Sequence, residues 1–145
     1  MEISRLTNAE FHNIYARVPR AVLDLLLIMP DGGVVMNRRS IDPEKGKWCV
    51  PGGTIYRGEK FRKAAERIAM DEVGVAIGSG RVFGASEYFG DNTVQRHDIV
   101  TIYRAEYASG DLRPDKDASE VGVFWEVPEN EVVAHCLLYN ALLRV

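Results

Sequence analysis

The sequence predicts an α/β fold, an α/β/α sandwich around a mixed β-sheet. Three observations carry that expectation. The stretch RAVLDLLLIM, Arg20 to Met29, is apolar on both faces and reads as a central strand. From Gly52 to Val75 a Gly-Gly turn and a short TIYR segment lead into an amphipathic helix closed by Gly74. The order along the chain is helix, hairpin, Gly-Gly strand, helix, two strands, strand, helix, and that order suits a sheet covered on both sides.

The elements follow in turn. Thr7-Asn8-Ala9-Glu10 reads as a capping box, with Phe11, Ile14 and Tyr15 on one face of a short helix that Pro19 ends. After the central strand, Asp31-Gly32-Gly33 is a turn and VVMNR pairs back as a hairpin. A polar loop from Arg39 to Lys47 precedes Trp48-Cys49-Val50-Pro51 and the Gly-Gly. In the helix after it, Phe61, Ala64, Ala65, Ile68 and Ala69 form one apolar face. Gly78-Ser79-Gly80 reads as a loop, and Arg81 to Phe89 and Ile99 to Tyr107 as two long strands around the polar loop GDNTVQRHD. Ala108 to Glu120 is polar, and Val121 to Val127 is a last short strand. Pro128 then opens a final helix, with Val132, Val133, Cys136, Leu137 and Leu138 on its apolar stripe.

Composition narrows the class. The 145 residues suit one domain, residues 1–145, with a real core. A hydrophobic fraction of 46% excludes a disordered chain. A net charge of −3 argues against an electrostatic nucleic-acid binder, although a nucleotide needs only local positive charge. No apolar run reaches membrane-spanning length and the first residues are polar, so no membrane partner and no signal peptide are expected. Cys49 and Cys136 lack metal-ligand spacing and read as reduced thiols of a cytosolic protein.

Several residues are candidates for chemistry. Mg2+ takes hard oxygen ligands, keeps several waters and binds through one or two carboxylates plus substrate phosphates. Glu72, with Asp71 beside it and the carbonyl of Gly52, offers such a set. An acidic pair near a helix C-terminus opposes the helix dipole, which favours a functional reason for it. Arg67 is a neighbour of Asp71 four residues along, and Glu72 is expected to reach outward about a quarter-turn away. Asp24 is an acid inside an apolar strand, so it must be paired or sit at an exposed rim. Arg39 suits bidentate contact with phosphate, with a solvated loop arginine as the plain alternative. For Tyr103, in mid-strand, the ordinary explanation is the core. His97, beside Asp98 in a polar loop, is a candidate base, whereas His12 and His135 offer nothing.

The Gly52–Val75 stretch resembles the Nudix box, G-x5-E-x7-R-E-U-x-E-E-x-G-U with U a bulky aliphatic. Gly53, Glu59, Arg67, Glu72, Gly74 and Val75 match at the right spacing. Ile68 replaces the first helical glutamate, Ala69 is small for U, and Asp71 stands for a glutamate. The resemblance implies a pair between Arg67 and Glu59 that holds the loop against the helix. Within the family, Val22 to Trp125 looks most like the GDP-mannose mannosyl hydrolases. Asp24, Arg39 ahead of Trp48-Cys49-Val50-Pro51-Gly52-Gly53, the shortened box and the Asp98-to-Tyr103 spacing carry that likeness. It implies Mg2+ (or Mn2+) held by the Gly52 carbonyl and Glu72, and Arg39 and Tyr103 touching a nucleotide diphosphate. It also implies water attacking the anomeric carbon of a sugar while GDP leaves. Two features depart: Ser119 and Glu120 stand where the group has Gln-His, and Thr54 where it has an arginine.

The expectation is therefore a Mg2+-dependent hydrolase of a nucleoside diphosphate sugar, with Glu120 as base and Asp117 and His97 in reserve. Arg67 and Asp24 are the other catalytic candidates. A pyrophosphohydrolase cutting a P–O bond and a non-catalytic nucleotide-binding domain are the rival readings. The expected partner is a nucleotide or nucleotide sugar, and a homodimer is left open.

Overall fold

The computed structural model describes residues 5–128, 132, 133, 136 and 139–143. Helix α1 is Asn8–Tyr15 and starts with the capping box the sequence announces. The Thr7 N–H donates to Glu10 at 2.8 Å, and the Glu10 N–H donates back to the Thr7 hydroxyl at 3.3 Å. Strands β1 (Arg20–Ile28), β2 (Val34–Arg39), β3 (Trp48–Cys49) and β4 (Gly52–Thr54) lead to helix α2 (Phe61–Ile68). Strands β5 (Ala76–Gly90), β6 (Gln95–Ser109) and β7 (Ala118–Phe124) and helix α3 (Tyr139–Leu143) complete the described elements.

The sheet is mixed. Its order is β3-β2-β1-β6-β5, with β4 on β1 and β7 on β2. Strand β1 runs parallel to β6 over its whole length, from Arg20 opposite Asp98 to Ile28 opposite Glu106. Buried between neighbours, β1 must be apolar on both faces. Leu23, Leu25 and Leu27 pack with Ala64, Ala65 and Ile68 of α2. Leu26, one step out of phase, packs with Val34, Met36, Cys136 and Tyr139 on the other side. Helical and C-terminal residues thus cover opposite faces of one α/β sheet.

Five boundaries differ from the sequence expectation. Residues 78–80 belong to β5 and 95–98 to β6, so only 91–94 remain between these strands. Polar and glycine-rich sequence reads as loop locally, but the β5–β6 ladder recruits it. Strand β7 begins at Ala118 because it pairs along β2. Helix α2 closes in a π-helical turn, Ala69–Val73, before Gly74 takes the left-handed conformation at φ 76°. In place of a helix from Pro128, Val132 pairs in parallel with Trp48 and the helix is Tyr139–Leu143. Of that expected stripe, Leu137 and Leu138 lie outside the described residues, as does His135.

Candidate active site

Strands β1 and β2 meet at Ile28 and Val34 and then part. Strand β4 enters the gap, with Gly52 opposite Asp24, Gly53 opposite Leu23 and Thr54 opposite Val22. The Leu25 N–H donates to the Pro51 carbonyl at 2.8 Å and holds the entering chain. Where the strands part, the structure keeps a cavity of about 210 Å3. Its lining holds six acids, Asp24, Glu44, Glu72, Asp98, Asp115 and Asp117, and three arginines, Arg20, Arg39 and Arg96. Glu72 feels the charges of Asp115 and Asp24, and Arg96 those of Arg20 and Arg39, so acids and arginines gather in two clusters.

Glu72 points into this cavity rather than outward. The π-helical turn accounts for the difference, because a wider turn rotates the residues that follow it relative to an α-helix. Its carboxylate accepts from the Gly52 N–H at 3.1 Å and from Asn37 Nδ2 at 3.3 Å. Burial pushes its pKa up to about 8; the Gly52 N–H opposes the rise and the charges of Asp115 and Asp24 add to it. Gly52 has no room for a side chain, since a Cβ there would collide with the Asp24 carboxylate. Asp24 is 4% exposed and is not at a rim. It accepts from the Tyr139 hydroxyl and lines the cavity. Arg39 also lines the cavity, and its Nε donates to the Pro43 carbonyl at 2.6 Å.

Other candidates lie elsewhere. Asp71 turns away from the cavity and pairs with Arg5 at 2.9 Å, its side chain 47% exposed. Tyr103 packs in the core against α2. Strand alternation decides this, because Val100 and Ile102 take the opposite face. Glu120 lies within β7 rather than on a loop, opposite Arg38, and pairs with it at 3.4 Å. Arg38 itself points away to the Gly46 carbonyl, so Glu120 follows it off the cavity. His97 stacks on Phe89, centroids 4.7 Å apart, one step out of phase with the cavity-lining Arg96 and Asp98. Arg67 binds Glu59 through Nε at 2.7 Å and Nη2 at 3.1 Å, and donates to the Thr54 carbonyl at 2.8 Å. It clamps the loop between β4 and α2 onto the helix without lining the cavity.

Several cavity residues carry no local sequence signal. Arg20 holds Asp98 with two hydrogen bonds, 2.9 and 2.8 Å, and reaches Thr54 Oγ1 at 3.2 Å. Arg96, Asn37 and Asp115 likewise join the wall through strand phase and loop return. The two cysteines, 87 positions apart, meet with Sγ atoms 3.4 Å apart in the buried layer beside the cavity. Neither forms a disulfide.

The donor set suits a hard divalent cation. No group of three or more His, Cys, Asp or Glu able to hold a metal ion occurs among the described residues. The buried Glu72, its pKa raised by burial among other acids, nonetheless gains from a cation beside it. One carboxylate, a backbone carbonyl, waters and substrate phosphates make the kind of incomplete cage Mg2+ accepts. No helix among the described residues is long and apolar enough to cross a membrane.

Fold and site together define a class, and comparison with known proteins gives it a name. The NUDIX domain family matches residues 18–139, so the chain belongs to the Nudix family, a family of hydrolases. It is 31% identical over 126 residues to the low-salt glycan biosynthesis protein Agl8 of Haloferax volcanii, covering 83% of this chain and 80% of that one. Its fold is similar to that of a MutT Nudix hydrolase from Burkholderia pseudomallei (TM-score 0.73, 23% identity, 86% of this chain and 98% of that one). It is also similar to a Francisella tularensis bifunctional NMN adenylyltransferase/ADP ribose pyrophosphatase, solved with AMP and a Mn ion (TM-score 0.66, 20% identity, 88% of this chain and 42% of that one).

Proposed function

We propose that this chain is a Mg2+-dependent hydrolase of a nucleoside diphosphate sugar, releasing the free sugar and the nucleoside diphosphate. The observation that carries the reading is the cavity itself, lined both by acids around Glu72 and by three arginines. The acidic cluster holds the cation through Glu72 and the Gly52 carbonyl, and Arg39 receives the diphosphate. When bound, the cation supplies charge stabilisation for the departing phosphate oxygens. Of the acids on the box helix, Glu72 alone is on the cavity wall: Asp71 faces away and Ile68 is core. A single helix carboxylate is compatible with displacement of a diphosphate from carbon, where a cation need only stabilise the charge of the leaving group. The name of the Haloferax volcanii relative, a glycan biosynthesis protein, supports a sugar-linked substrate.

In the proposed step a water oxygen bonds to the anomeric carbon. The bond from that carbon to the diphosphate oxygen breaks, and the electron pair leaves with the diphosphate. Asp115 takes the water proton; it lines the cavity and its charge is felt by Glu72. Asp117 stands next to it on the wall and is the second choice. Asp24, whose carboxylate faces the cavity, orients the sugar. Arg67 is a positioning residue, acting through its bond to Thr54 at the end of β4, the strand that carries Gly52. The unit that folds and acts is proposed to be residues 1–145 as one domain.

The rival reading is cleavage of a P–O bond, supported by the fold's likeness to a protein named as an ADP ribose pyrophosphatase. Hydrolysis in 18O water separates the two. Label in the sugar is the expected result, and label in phosphate replaces this reading with the rival one. Turnover of neither nucleotide sugars nor nucleoside phosphates, with tight binding of both, leaves a non-catalytic binding domain.

A further inference from the structure

The three arginines of the cavity are not equivalent. The charge of Arg20 is matched by its two hydrogen bonds to Asp98. Arg39 is tied by Nε to the Pro43 carbonyl. Arg96 lines the same cavity with no hydrogen bond or ion pair to its guanidinium among the described residues. It is half-buried, and burial followed by the charge of Arg20 lowers its pKa. The carboxylate that it does feel, that of Asp98, is already held through both oxygens by Arg20, so this partly desolvated guanidinium shares a counter-charge and has none of its own.

Position tells which part of a ligand would supply it. Arg96 precedes Asp98 by two residues on β6, and Asp98 stands opposite Arg20 at the start of β1. Asp24, opposite Ile102 and Gly52, marks the level of the Glu72 cluster. The six steps along the strand from residue 96 to 102 span about 20 Å of backbone. An extended arginine covers only part of that, so Arg96 serves the end of the cavity away from Glu72.

We infer that Arg96 is a specificity residue that binds an anionic oxygen group of the substrate distinct from the metal-bound phosphate. The inference rests on the cavity's being a nucleotide site, as proposed above. The group is a phosphate or a carboxylate, since both fit a guanidinium fork. Two sources offer it: the remote phosphate of the diphosphate, or an acid group on the sugar.

Calorimetric titration with Mg2+ present tests this on wild type, Arg96→Gln and Arg96→Lys. The probes are GMP, GDP, GDP-mannose and GDP-mannuronate, with equal unfolding midpoints required of the three proteins. Wild type is expected to gain at least tenfold in affinity at one step, GMP to GDP or GDP-mannose to its mannuronate. The first gain identifies the phosphate and the second the sugar carboxylate. Arg96→Gln should abolish that gain while leaving GMP binding within about threefold, and Arg96→Lys should keep part of it. The same gain in Arg96→Gln overturns the inference, as does equal loss for every probe or no gain in wild type. Wild type that binds with the expected pattern but turns over nothing defeats the hydrolase reading and leaves Arg96 in its role.

Discussion

Glu72 shows how a single side chain carries both a cost and a proposed role. Its carboxyl is buried and its folded pKa is raised from 4.5 to about 8. A raised acid pKa means the folded protein holds a proton the unfolded chain gives up. Stability from this group is therefore whole below pH 4.5 and is lost as pH rises through about 8. Glutamine stays neutral at every pH. Without metal, Glu72→Gln should match wild type near pH 4 and exceed it near pH 9, by on the order of a few kcal/mol. Urea unfolding at the two pH values measures the difference. The same variant should lose about a thousandfold or more in kcat and weaken Mn2+ binding. Equal stability at both pH values would show that the carboxyl is solvated. Gly52 sets the opposite kind of constraint. Its missing Cβ leaves room for the Asp24 carboxylate, so Gly52→Ala should displace β4 and cost about 1–3 kcal/mol by overpacking. A thermal midpoint equal to wild type would contradict that packing.

At the scale of elements, α2 and the loop before it behave as one piece because Arg67 ties them. The Glu59 side chain is 1% exposed and that of Arg67 18%. Burial alone would raise the Glu59 pKa; hydrogen bonds from Arg67 and the Tyr56 N–H outweigh it and hold the pKa below 4.5. A depressed acid contributes stability that is present above its unfolded pKa and lost as pH falls through the folded one. Arg67→Ala leaves a buried carboxylate without its cation and should cost about 3 kcal/mol at pH 7. Near pH 3 the gap to wild type should narrow, since Glu59 is then protonated in the unfolded chain and, progressively, in the folded one. Unfolding midpoints at both pH values check the sign. Activity should fall about tenfold to a hundredfold, because Arg67 also holds the Thr54 carbonyl at the end of β4, the strand that carries Gly52. A gap that stays constant with pH would assign the loss to packing of Arg67 over the Tyr56 ring, 4.6 Å from its centroid.

At the scale of the molecule, the C-terminal residues close the cavity from the side opposite α2. Tyr139 is fully buried and its hydroxyl donates to Asp24, 115 residues earlier in the chain. The neighbouring acid and burial hold that hydroxyl protonated, with its pKa raised far above the ordinary value, chiefly by burial. Val133 lines the cavity and donates its N–H to the Trp48 carbonyl at 2.9 Å. Tyr139→Phe keeps the ring and removes one donor to a buried carboxylate, a loss of about 1–3 kcal/mol. It should also lower kcat several-fold through a less well-held Asp24. Wild-type stability and kcat in that variant would show that the C-terminal segment only covers the site.

The sequence by itself determined what local chemistry can encode. Apolar residues on both faces place β1 at the centre, Thr7 and Glu10 start α1, and Gly74 ends the box helix. Box spacing pointed to the family, to the Arg67–Glu59 pair and to Glu72 beside Gly52, and the structure puts each of these pairs in hydrogen-bond contact. Tertiary structure alone decided which acids face inward. The π-helical turn sends Glu72 into the cavity and Asp71 to solvent, a rotation that helical spacing does not reveal. Strand phase sends Tyr103 to the core and Glu120 to Arg38, because one step along a strand reverses the face. The partners that only distant chain returns can supply, Arg20 with Asp98 and Tyr139 with Asp24, leave no mark in sequence. Their proximity is set by the parallel β1–β6 ladder and by the layer packed over it, not by any neighbour along the chain.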